Sequence, residues 1–154
     1  MFKHRLGFSL IEVLVAATII AVLAAIGATS YSSVNKRSRD TRRKSDLEQI
    51  RSSLEQYRTD KGYYPSQGAG TWVQASTLSD LTSGGYISAI PSDPKSTTQS
   101  YWYQVTNPSG TPTLYYGYCL TAWVEQGSNN DSCPGIIYNT GIPANEYVYE
   151  VRHP

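Results

Sequence analysis

The sequence has few of the residues that build reactive or metal-binding sites. Its 154 residues include two cysteines and two histidines, and neither cysteine lies in a Cys-x-x-Cys motif. Because His4 and His153 lie near opposite ends of the chain, they form no zinc-ligand spacing. The chain also lacks a nucleophile elbow and a phosphate-binding glycine loop, and no carboxylate is positioned to orient a histidine base. We therefore expect a protein that is not an enzyme and that holds no cofactor.

Charge is also scarce, at 16% of residues, and it is unevenly distributed. Residues 36–61 hold nine basic and five acidic groups, whereas residues 62–154 hold two basic and six acidic groups. The net charge of +1 therefore hides a basic stretch beside a mildly acidic C-terminal region. Aromatic residues make up 12% of the chain, which is more than disordered proteins usually contain, so most of the chain should fold.

Residues 8–28 are apolar apart from Ser9, Glu12 and Thr18. As a helix these residues span about 32 Å, which matches the hydrocarbon core of a bilayer. A carboxylate within such a segment is costly and by default indicates a function that involves a partner. A secretory signal peptide or a plain membrane anchor would explain the apolar run, but neither explains Glu12.

A second helical pattern begins after a polar stretch. Leu47, Ile50, Leu54 and Tyr57 recur at spacings of three and four, which is typical of one face of an amphipathic helix. We expect this helix to end at Lys61, because glycine at 62 favours termination and proline at 65 prevents resumption.

The remaining chain has the composition of a small β-structure. A short helix is expected in the segment ASTLSDLTSGGYI, and the turn-rich NPSGTP predicts a hairpin turn between the first two strands. Runs rich in aromatic and β-branched residues predict strands at 101–106, 113–125, 135–139 and 146–151. The 13 tyrosines are mostly expected to pack in or around the core. The predicted fold class is α+β, a long N-terminal helix whose second half packs on an antiparallel sheet of three or four strands.

The N-terminus carries a specific motif, KHRLG followed by FSLIEVLVAATIIAVLAAI. It resembles the leader and first helix of type IV pilins and type II secretion pseudopilins. The resemblance implies that a prepilin peptidase cuts between Gly7 and Phe8 and methylates the new amino group of Phe8. It also implies that Glu12 forms an assembly salt bridge with the amino terminus of a neighbouring subunit. In this family many pilins carry a proline at the position that is Thr29 here.

The resemblance also implies a domain organisation and a location. We expect a leader peptide (1–7), a transmembrane and assembly helix (8–31), an amphipathic second half of the helix (32–61) and a globular head (62–154). The subunit would cross the inner membrane once, with a cytoplasmic N-terminus, and then join a periplasmic or extracellular filament. Partners would be further copies, minor pilins or pseudopilins, and an inner-membrane assembly platform. The positive-inside rule conflicts with this orientation, because more Lys and Arg lie after the apolar run than before it.

The family contains two kinds of filament. The segments DKGYYPS and IPSDPKS resemble the major pseudopilin of type II secretion. The two cysteines and the lack of a clear calcium loop favour a type IV pilus-like filament, which is the preferred interpretation here. A pseudopilus subunit is the alternative, and a monomeric membrane-anchored binding module is a remote one.

Three further sites are weighed from composition. Export of the head predicts a disulfide between Cys119 and Cys133, with two buried free thiols as the alternative. The oxygen-rich stretch 125–133 could supply calcium ligands, but its residues are ordinary turn formers and no calcium site is assigned. The basic stretch 35–46 could contact nucleic acid, but no aromatic residue interrupts it. We expect its side chains to be solvated, to contact lipid headgroups or to pair between subunits.

Overall fold

The computed structural model describes residues 7–67, 69–110, 113–127 and 147–152. In chain order the elements are α1 (Leu10–Lys61), β1 (Val73–Gln74), a 3₁₀ turn (Ala75–Thr77), α2 (Ser79–Ser83), β2 (Trp102–Ser109), β3 (Leu114–Val124) and β4 (Tyr147–Arg152). The predicted α+β class is confirmed. The chain divides into two compact units, Met1–Lys36 and Arg37–Pro154, and the boundary between them lies within α1.

Helix α1 ends where the sequence predicts. Gly62 follows with a φ of 83°, a left-handed conformation that glycine adopts without steric cost. Its N–H donates to the carbonyl oxygen of Arg58 at 2.7 Å, which satisfies one of the carbonyls left free at the helix end. The predicted termination at Lys61 is therefore confirmed, with the expected glycine as the cause.

The second half of α1 supplies one side of the hydrophobic core. Its predicted apolar face is buried throughout, and full burial of each leucine or isoleucine stabilises the fold by about 1.5–3 kcal/mol. The sheet supplies much of the other side through Tyr103, Leu120 and Val151. The tyrosine prediction is confirmed for a group that lies buried in this core, namely Tyr57, Tyr64, Tyr101, Tyr103 and Tyr118.

The four strands form one antiparallel sheet in chain order, β1-β2-β3-β4. The predicted strands at 101–106, 113–125 and 146–151 are confirmed within a few residues, whereas the one at 135–139 lies outside the described residues. Strand β1 was not predicted. Strand β2 also extends further than predicted, through Pro108. Because β1 pairs only with Trp102 and Tyr103, Pro108 lies on an edge portion of β2, where proline is tolerated.

Candidate functional site

The predicted cleavage junction lies outside regular structure. Gly7 and Phe8 precede the first helical residue, Leu10. The Phe8 side chain is 83% exposed, and a Cβ added to Gly7 would meet no atom within 4 Å, its chain neighbours aside. The junction therefore offers a short, exposed, non-helical segment next to a helix.

The carboxylate of Glu12 lies in the first turn of α1, where an acidic residue interacts favourably with the helix dipole. The backbone N–H groups of Glu12 and Val13 donate to the carbonyl oxygen of Ser9 at 3.1 and 3.2 Å. The Glu12 side chain is exposed, and it forms no ion pair with any residue that the structure describes. Its position leaves the carboxylate available to a group from another molecule.

The first half of α1 presents a surface that is mostly apolar. The exposed large apolar side chains of the described residues all lie between Phe8 and Val34, with the exception of Tyr116. The helix is long and apolar enough to cross a membrane, judged by length and composition. Contiguous apolar surface on this scale marks an interaction site with protein or membrane. The surface therefore suits burial in lipid or among identical helices.

A second site lies in the folded C-terminal unit. We call it the ion-pair cluster, and it consists of Arg39, Asp40, Arg43, Asp93, Lys95, Gln99 and Glu125. The cluster joins α1 to the segment 93–99 and to the end of β3. Three cations face three carboxylates, so the group is neutral overall.

Arg43 is the centre of the cluster and is fully buried. Its guanidinium donates two hydrogen bonds to the Asp93 carboxylate, from Nε at 2.7 Å and from Nη2 at 3.1 Å. Its remaining contacts reach Asp40 at 2.8 Å, Glu125 at 3.2 Å and Gln99 at 2.6 Å. These contacts are enough to occupy all five N–H donors of an arginine. Burial alone would lower the pKa of this guanidinium, but hydrogen bonds to Asp93 and Asp40 raise it above the usual value.

Glu125 anchors the end of β3 to the helix. Arg39 donates a hydrogen bond to each of its two carboxylate oxygens, at 2.6 and 2.7 Å. Lys95 Nζ lies 3.1 Å from Oε2 of the same carboxylate. Hydrogen bonding from Arg39, supported by Lys95, outweighs burial and lowers the pKa of the Glu125 carboxyl to about 2. The Asp40 carboxylate accepts hydrogen bonds from the backbone N–H groups of Glu125 and Gln126, both at 2.9 Å. The helix thus holds this segment through side-chain and backbone contacts together.

The cluster corrects the expectation that the basic stretch is solvated or pairs with other molecules. Lys36, Arg37 and Lys44 are exposed as expected, but Arg43 is fully buried and pairs within the subunit. A signal for this was present in the spacing. Arg43 lies four residues before Leu47 and therefore continues the buried face of α1.

The predicted disulfide and the stretch considered for calcium are only partly described. Cys119 is 1% exposed on β3, and Cys133 lies outside the described residues, so their disulfide stays a prediction. Most of the oxygen-rich stretch 125–133 also lies outside them. Within the described part of the chain no group of three or more His, Cys, Asp or Glu residues could hold a metal ion.

Two family models match the chain. The model described as type II secretion system (T2SS), protein G, matches residues 31–117, and the prokaryotic N-terminal methylation motif matches residues 2–28. No solved structure matches significantly.

Curated relatives agree with the first model. Type II secretion system core protein G of Escherichia coli (strain K12) is 33% identical over 98 residues, or 60% of this chain and 67% of the relative. The protein of the same name from Pseudomonas aeruginosa is 31% identical over 137 residues, or 84% of this chain and 93% of the relative. These findings favour the pseudopilus alternative over the type IV pilus that the sequence analysis preferred. With one model covering more than half of the chain and a relative matched over nearly its whole length, the chain belongs to the type II secretion system protein G family.

Proposed function

We propose that this chain is the major subunit of a type II secretion pseudopilus. The observation that carries the proposal is the similarity to the core protein G of Pseudomonas aeruginosa, which extends over 84% of this chain. The two family models add that the assembly helix matches the methylation motif at residues 2–28 and that residues 31–117 match protein G, so both parts that a filament subunit uses support the proposal. The role is structural: the head is displayed while the apolar helices pack together.

The first step proposed is processing of the N-terminus. A prepilin peptidase hydrolyses the peptide bond between Gly7 and Phe8. It then transfers a methyl group from an activated methyl donor to the amino nitrogen of Phe8, which releases a proton. The methylation motif at residues 2–28 supports this step, and so does the exposed, non-helical junction. The subunit then resides in the inner membrane, with its N-terminus on the cytoplasmic side and its head in the periplasm.

Assembly is proposed to depend on Glu12. The apolar surface of α1 surrounds this carboxylate with groups that cannot solvate it once helices pack together. The amino group of Phe8 from a neighbouring subunit would compensate the charge in that low-dielectric environment. The same pairing would set the register between neighbours. Minor pseudopilins and an inner-membrane assembly platform are the further partners proposed. A monomeric binding module would make no use of Glu12.

A variant at Glu12 tests the proposal. Glu12→Ala should be processed normally, because the junction and the apolar segment are unchanged, but it should not assemble. We would express it in a strain without the wild-type copy and determine the mass of the N-terminal peptide. Filaments would be counted by electron microscopy both in sheared material and in material released by opening the outer membrane. Glu48→Ala, which removes an exposed carboxylate from the same helix, serves as the control and should assemble.

Three results would contradict the proposal. Normal filaments from fully processed Glu12→Ala would show that Glu12 does not form the assembly contact. A mature N-terminus near position 29 would instead support a secretory signal peptide. Loss of the gene with unchanged type II secretion, but with loss of surface pili, would favour the pilus over the pseudopilus.

A further inference from the structure

The ion-pair cluster leaves specific cations of the basic stretch unused. Arg39 and Arg43 are engaged by buried carboxylates. Arg37 is exposed and forms no ion pair with a described residue, and the Arg42 side chain is 64% exposed, with its Nε 3.9 Å from Asp46. A pair at that distance and exposure contributes little. Arg37 and Arg42 therefore remain available to an external anion.

The position of these arginines along α1 indicates which anion they meet. The exposed apolar side chains of the helix end at Val34, and Arg37 follows only about 4.5 Å further along the axis. Helical side chains lean toward the N-terminus of their helix, so an arginine here reaches back toward the apolar segment. Tyr31, 71% exposed, is the kind of aromatic residue that lies at the membrane–water interface.

We propose that Arg37 and Arg42 bind the phosphate groups of anionic phospholipids while the subunit waits in the membrane. A guanidinium binds phosphate through two parallel hydrogen bonds, and each cation near an anionic membrane surface strengthens binding roughly fivefold. The site would fix the depth of the helix in the bilayer and would be vacated when the subunit enters a filament. This proposal rests on the membrane-resident stage of the proposed function.

Electron spin resonance of the full chain in vesicles tests the proposal. The chain is reconstituted in phosphatidylcholine vesicles that contain spin-labelled phosphatidylglycerol or spin-labelled phosphatidylcholine, and the immobilised fraction of each label is measured. The wild type should immobilise the anionic lipid preferentially. In Arg37→Gln/Arg42→Gln this preference should fall severalfold, up to roughly fivefold for each cation that contacts a phosphate. High salt should reduce the preference of the wild type more than that of the variant, which keeps the exposed Lys36 and Lys44.

The control removes the same charge from the other end of the helix. Arg51→Gln/Lys61→Gln changes two exposed cations of α1 and should keep the wild-type preference. Equal loss in the control, no loss in the test variant, or no preference in the wild type would each overturn the lipid site alone. A chain that does not float with the vesicles would overturn the membrane-resident stage, and the lipid site with it.

Discussion

Replacing Arg43 with methionine is expected to destabilise the folded C-terminal unit by about 3–5 kcal/mol, the range measured when one partner of a buried ion pair is removed. The structure places this variant in that range because Asp93 loses both of its bonds to the guanidinium and Asp40 loses another. The Glu125 carboxylate keeps its ion pairs with Arg39 and Lys95, so it is less affected by the substitution. Because methionine fills much of the volume that the arginine side chain occupied, the loss of stability comes mainly from the lost charge pairing and little from a cavity.

The neighbouring arginine provides a matched control. Arg42→Met removes the same side chain one residue earlier, where it is mostly exposed, and should change the stability by less than about 1 kcal/mol. Arg43→Lys should fall between the two variants, because lysine keeps the charge but cannot form the two-pronged contact with Asp93.

Urea unfolding of the full chain in detergent, followed by near-ultraviolet circular dichroism, measures all three variants. Because the aromatic residues in the core report on the packed unit, the signal follows the region that the cluster stabilises. Equal free energies of unfolding for Arg43→Met and Arg42→Met would refute the reasoning. It would mean that the buried carboxylates are compensated in another way.

Two further predictions concern acid and reductant. The pKa of the Glu125 carboxyl lies at about 2 instead of 4.5. The ionised carboxylate therefore adds about 3 kcal/mol to the free energy of unfolding. This contribution is complete above pH 4.5 and is lost as the pH falls through about 2. Urea unfolding between pH 5 and pH 2 should therefore show a smaller loss of stability in Glu125→Gln than in the wild type, and equal slopes would contradict the assignment. Cys119 and Cys133 should resist alkylation until the protein is reduced, as judged by intact mass, whereas two alkylated thiols in the unreduced, unfolded chain would disprove the bond.

Local signals predicted the parts of the fold that depend on nearby residues. The end of α1 follows from Gly62 and Pro65, and its buried face follows from a periodicity contained within one helix. Strand β1 escaped prediction because Val73–Gln74 is too short to show alternation. The cleavage junction and Glu12 were predicted from a family motif, since helix physics alone marks Glu12 as unusual without naming its partner.

The ion-pair cluster was missed because its partners are distant in sequence. Arg43 is surrounded by charged neighbours, so the composition of the stretch indicates a solvated surface. Its burial depends on Asp93 and Glu125, which lie 50 and 82 residues further along the chain. Only the folded chain brings these carboxylates to the helix. The spacing to Leu47 was the single local sign that position 43 faces inward.

The order of elements along the chain also has a consequence for biosynthesis. The ribosome completes the second half of α1 long before it makes β3 and β4, the strands that contribute Leu120 and Val151 to the same core. From Tyr57 to Val151 translation takes roughly 5–20 s at typical rates. Early in that interval the apolar face of the helix has no sheet to pack against. Of the three carboxylates that contact Arg43, only Asp40 is present until residues 93 and 125 have been made. The second half of α1 can therefore complete its packing only after β4 has been made, and until then part of its apolar face is open to aggregation.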